Sequence, residues 1–69
     1  MKKPGYYSSG EFARMAGVTL RTIRYYDKQN ILKPSLVSEA GARFYTDEDF
    51  ARLQQILLLK YLGFSLDDI

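Results

Sequence analysis

The residues best equipped for chemistry lie in one short stretch, Leu20-Arg21-Thr22-Ile23-Arg24-Tyr25-Tyr26-Asp27-Lys28-Gln29. At about 100° per residue, a helix here gathers Leu20 and Ile23 on an apolar side. Arg21, Thr22, Tyr25 and Gln29 fall on the opposite side, and Arg24 and Tyr26 flank the two. The outward side then carries guanidinium, phenol and hydroxyl groups. These are hydrogen-bond donors of the kind that meet phosphate oxygens and base edges in a DNA major groove. A plain solvated face is the competing reading, because Arg and Tyr side chains also serve to cover apolar surface. Asp27 falls near the core side and reads as an ion-pair or capping partner. Two later cations, Arg43 and Lys60, are candidate phosphate ligands. Taken alone, Arg43 reads more readily as the surface partner of Glu39 than as a phosphate ligand.

Other chemistries find little footing. The chain has no cysteine and no histidine, so zinc fingers, structural zinc sites and histidine-based catalysis are excluded within it. No nucleophile has a visible base. The acids Asp47, Glu48, Asp49, Asp67 and Asp68 stand at helix starts, where capping and the helix dipole account for them. The glycines lack phosphate-loop spacing. The chain is therefore expected to be no enzyme and to need no cofactor or metal.

Several elements must position the outward face. Ser8-Ser9-Gly10-Glu11 has the spacing of a capping box and predicts a short helix to about Ala16, stopped by Gly17. Val18 should turn inward, and Thr19 should cap a second helix over roughly Leu20 to Gln29. Two short helices with a glycine-containing connection are the mark of a helix-turn-helix. Pro34 then forces extended backbone. The β-prone segments Ser35-Leu36-Val37 and Arg43-Phe44-Tyr45, joined by Ser38-Glu39-Ala40-Gly41, predict a hairpin, or wing, carrying Arg43. Thr46 should cap a third helix running to about Leu62, ended by Gly63, and Ser65 to Ile69 should open a fourth.

The third helix is apolar almost all round. Phe50, Leu53 and Leu57 share a face with Tyr61 beside it, Leu58 and Leu62 lie off that face, and Leu59 lies nearly opposite. A 69-residue chain has one small core and cannot bury every side. A further helix, a dimer mate or both is expected to cover the remainder.

Charge follows the same division. The net charge is only +2. Yet residues 1–45 hold eight cations against three anions, and residues 46–69 hold two against five. A polyanionic partner for the first part fits that asymmetry. No apolar segment follows the charged start Met1-Lys2-Lys3-Pro4, and Ile56 to Leu59 is far too short to span a membrane. A soluble intracellular protein is the expectation.

Five motifs in order carry a family resemblance. They are Tyr7-Ser8-Ser9-Gly10-Glu11-Phe12-Ala13 with Ala16-Gly17-Val18-Thr19; Thr22-Ile23-Arg24-Tyr25-Tyr26-Asp27; Leu32-Lys33-Pro34; Gly41-Ala42-Arg43-Phe44-Tyr45; and Asp49-Phe50 with Arg52-Leu53, continuing to Leu62-Gly63-Phe64-Ser65-Leu66 and Asp68-Ile69. From Tyr6 to Ile69 the chain resembles the N-terminal DNA-binding domain of the MerR family of transcription regulators. Pro34-Ser35-Leu36 and the run Arg52 to Leu57 look most like its TipA-like, multidrug-responsive branch.

The resemblance implies a mainly α winged helix-turn-helix over residues 1–69: helix-turn-helix, β-hairpin wing, third helix, start of a fourth. It implies that the chain is a fragment lacking a long dimerisation helix and an effector domain. The implied partners are double-stranded promoter DNA, RNA polymerase indirectly, and a second copy in the full-length dimer, in the cytoplasm on the bacterial nucleoid and away from any membrane. The implied mode of action is bending and untwisting a promoter whose spacer is overlong. Thr19, Arg21, Thr22, Arg24, Tyr25, Tyr26 and Arg43 would contact DNA, with Lys60 added from the reading of charge. Where relatives often carry Tyr before the wing arginine, Ala42 stands here, and Leu36 replaces a frequent second wing arginine; both predict altered wing contacts. An excisionase-like architectural DNA-binding factor and a protein-interaction module without DNA binding remain the alternatives.

Overall fold

In the computed structural model, which describes residues 5–65, the chain runs β1 (Tyr7–Ser8), α1 (Ser9–Ala16), α2 (Leu20–Lys28), β2 (Leu36–Val37), β3 (Arg43–Tyr45) and α3 (Asp47–Tyr61). This is the winged helix-turn-helix that the sequence predicts. Leu66 to Ile69, most of the expected fourth helix, lies outside the described residues.

The local signals act as their chemistry dictates. The Ser8 hydroxyl accepts from the Glu11 amide at 3.2 Å, and the Ser8 amide donates to Glu11 Oε1 at 3.0 Å. Two backbone donors that a helix start leaves orphaned are thereby satisfied. Gly17 takes φ 72°, the left-handed conformation that closes a helix at little steric cost. Thr19 Oγ1 accepts from the Thr22 amide at 3.1 Å and starts α2. Thr46 and Asp49 form a second capping box at α3.

One strand has no counterpart in the sequence-based expectation. β1 pairs antiparallel with β3, Tyr7 opposite Tyr45 and Ser8 opposite Phe44. β3 therefore lies between β1 and β2. Two residues give no readable alternation, so only the pairing reveals this strand. Ser8 thus ends a strand and caps a helix at once. The hairpin turns through Ser38–Ala42, with the Ser38 amide donating to the Ala42 carbonyl at 2.9 Å and Gly41 at φ 86°.

The core comprises Phe12, Ala13, Ile23, Tyr26, Leu32, Tyr45, Leu53 and Ile56. Phe12 stacks on Tyr45 with centroids 4.3 Å apart and meets Phe50 edge-on at 6.1 Å. Val18 packs against this cluster as expected. Three expectations need correction. Leu20 is 37% exposed rather than core-facing, because it stands at the first position of α2, beside the turn. Ile56 belongs to the core, so the buried face of α3 is centred on Leu53 and Ile56 with Phe50 and Leu57 at its margins. Tyr61 is 86% exposed. At 15 residues α3 is about 22 Å long and outreaches the shorter α1 and α2, so its last turn overhangs the core.

Candidate nucleic-acid interface

α2 presents the outward face. Arg21, Arg24, Tyr25, Lys28 and Gln29 are exposed, and Thr22 is half-buried. Ile23 holds the opposite side in the core at 1% exposure. Thr19 is also exposed, but its hydroxyl is engaged in the cap and lies 2.9 Å from the Thr22 hydroxyl. Its part is therefore to fix where α2 begins.

Tyr26 does not flank the face. It is 1% exposed and is one of the largest core side chains. Tyr26 stands three residues after Ile23 and one before Asp27, so with them it forms the buried side of α2, a spacing that the helical period already carries. Its hydroxyl accepts from Lys60 Nζ at 3.2 Å, and the ammonium stands 5.6 Å from the ring centroid. Burying a phenol requires a partner for its polar tip, and Lys60 supplies one. Lys60, on the last turn of α3, is thereby drawn beside Thr19, Arg21, Thr22 and Tyr25, around a shallow notch of about 250 Å³.

A second, larger groove of about 460 Å³ opens between α2 and the wing and is lined by Arg24, Asp27, Lys28, Lys33 and Arg43. At its floor, Asp27 is 6% exposed. Its Oδ1 pairs with Lys33 Nζ at 3.0 Å, and its Oδ2 accepts from Arg43 Nε. Burial pushes the Asp27 carboxyl pKa up, but the hydrogen bonds and charges of Lys33 and Arg43 together outweigh it and hold the carboxyl below its ordinary value. The partner of the wing cation is thus Asp27, not Glu39. Lys28 and Lys33 were no part of the expected face. The spacing of six residues between Asp27 and Lys33 hints at a contact. Nothing in local periodicity points to Arg43, sixteen residues away.

The wing is anchored at its other root as well. Ser35 Oγ donates to Asp49 Oδ2 at 2.6 Å, and the same oxygen accepts from the Thr46 amide at 2.9 Å. Asp49 is 5% exposed. One acid thus caps α3 and fastens the strand that leads into the hairpin.

A helix-turn-helix whose second helix displays Arg and Tyr beside a cation-bearing wing defines the class: a winged helix-turn-helix domain built to face a polyanion. The chain belongs to the MerR HTH family of regulatory proteins, whose family model matches residues 7–69. Over 63 residues it is 52% identical to the HTH-type transcriptional activator TipA of Streptomyces coelicolor, covering 91% of this chain and 25% of TipA. This is in line with the TipA-like branch that the sequence resembles. A MerR family transcriptional regulator from Bacillus cereus superposes with TM-score 0.84 at 52% identity, over 90% of this chain and 46% of that one. HiNmlR, a MerR family regulator lacking the sensor domain and solved bound to promoter DNA, superposes with TM-score 0.85 at 35% identity, over 91% of this chain and 50% of that one. The chain thus spans a quarter to a half of the length of these relatives.

Proposed function

We propose that this chain is the promoter-recognition domain of a MerR-type transcription regulator, with α2 in the major groove of double-stranded DNA and the wing lying along the backbone. The observation that carries this is that α2 is bordered by two grooves, one lined by Arg24 with Arg43 of the wing and the other by Arg21 and Tyr25 with Lys60 of α3. Arg21 and Tyr25 sit centrally and read base edges. Arg24, Arg43 and Lys60 neutralise phosphates, and Thr19 and Thr22 orient the start of α2. Tyr26 acts from beneath by holding Lys60.

In this reading the longer protein is a homodimer that bends and untwists an overlong promoter spacer for RNA polymerase, in the cytoplasm on the nucleoid. Leu58, Tyr61, Leu62 and Phe64, exposed at the end of α3, support a helix from elsewhere in the dimer covering that side. Residues 1–69 then form one domain of a larger chain that adds a dimerisation helix and an effector domain. No step of this role requires a catalytic group.

The test is a fluorescence titration, with the chain tethered as a dimer, on duplexes recovered from a random-sequence pool. Arg24→Ala should weaken binding by a similar factor on every duplex and lower the slope of log affinity against log salt by about one. Unchanged affinity and slope would remove Arg24 from the interface. No salt-dependent DNA affinity in the unaltered chain would instead favour a protein-interaction module.

A further inference from the structure

The groove between α2 and the wing gathers Arg24, Lys28, Lys33 and Arg43 around the single carboxylate of Asp27. A buried acid under four cations is an odd choice for a surface meant to face a polyanion, since it cancels part of the attraction. Its geometry supplies the reason. Asp27 lies in the last turn of α2, Lys33 in the connection that follows, and Arg43 at the start of β3. The three segments touch through one carboxylate, each oxygen taken by a different cation.

We propose, resting on the function given above, that Asp27 is a positioning residue for DNA: it holds the wing arginine and Lys33 at a fixed distance from α2, so that the groove seats a backbone phosphodiester. Among the described residues, Arg43 is bonded through Nε alone, which leaves the terminal guanidinium nitrogens available to the phosphate. At 47% side-chain exposure, Arg43 is both held and accessible. A free arginine must give up its rotamer freedom when it binds DNA, and here much of that ordering precedes binding.

Simple charge counting and positioning predict opposite signs for Asp27→Asn. The exchange keeps the size of the side chain and adds one unit of positive charge. If Asp27 is only a nearby charge, affinity rises and the salt slope steepens. If it positions Arg43, affinity for a selected duplex falls about fivefold or more. Asp27→Glu should recover part of the loss, and in an Arg43→Met background Asp27→Asn should lose most of its effect. Circular dichroism establishes that each variant is folded. Equal or tighter binding by folded Asp27→Asn, or a full penalty persisting without Arg43, overturns the proposal. A measurement on the unaltered chain covers the case in which the variant does not fold. A slowly exchanging Arg43 Nε–H resonance in the DNA-free protein supports the clamp, and exchange as fast as in a free arginine overturns it. If the unaltered chain shows no salt-dependent affinity for the pool, the functional reading itself fails, an outcome separate from failure of the Asp27 exchange in a chain that does bind.

Discussion

Tyr26 shows how much one side chain can carry in so small a core. Its ring packs with Ile23, Leu32 and Ile56 in the buried cluster, while its hydroxyl holds Lys60. These two contributions separate by mutation. Tyr26→Phe keeps the ring and should cost about 1 kcal/mol or less in urea unfolding, because the hydrogen bond goes to an exposed cation. DNA affinity should fall no further than it does in Lys60→Ala, because the phenol acts only through the ammonium it holds. Tyr26→Ala should cost about 3–5 kcal/mol. A loss in folded Tyr26→Phe clearly larger than that in Lys60→Ala would restore the phenol to the contact surface. Arg21, Arg24 and Tyr25 were legible from a helical wheel because exposed positions depend only on the helix to which they belong. Tyr26 and Ile56 each follow a core residue, Ile23 and Leu53, by three positions, so the same period carries their burial, although the faces drawn on the wheel were centred elsewhere.

Among the elements, caps and turns were the most legible. Ser8 with Glu11, Gly17, Thr19 and Thr46 act through bonds spanning three or four residues, so the sequence contains both partners side by side. β1 was not legible, because a two-residue strand exists only through its pairing with β3. Nor was the fastening of the wing to Asp49 through Ser35, a contact across fourteen residues. Thr46 occupies the junction of these effects. Its hydroxyl accepts from the Asp49 amide at 3.3 Å and lies 3.3 Å from that of Ser35. Thr46→Ala should destabilise the domain by about 1 kcal/mol through the lost cap. It should also loosen the hairpin, seen as faster amide exchange at Ser38 and Gly41. Unaltered exchange there with a reduced urea midpoint would confine Thr46 to α3.

For the whole molecule, electrostatics joins stability to pH. The Asp27 carboxyl titrates below its ordinary value in the folded chain. A depressed carboxyl favours folding when ionised, so its contribution is complete above the unfolded value, near 3.8, and fades as pH falls through the lower folded value. The unfolding free energy of the parent should therefore exceed that of Asp27→Asn near neutral pH, and the gap should close in that acid range. A gap that stays constant down to the acid limit would detach Asp27 from acid sensitivity. The winged helix-turn-helix class was visible in advance at this scale because its two helices, hairpin and third helix follow one another along the chain. The groove on which the wing closes was not, because it is assembled from residues 24 to 43 only after folding.

The double duty of Ser8 has a mechanical consequence. The last residue of the strand laced to the wing is also the residue that launches α1, so no linker separates the two. A force on the hairpin tip passes along β3 into β1 and straight to the first helix, with no hinge to absorb it. In the DNA-binding role proposed above, a shape mismatch would then fall on the duplex, whose smooth bending costs about 1–6 kcal/mol.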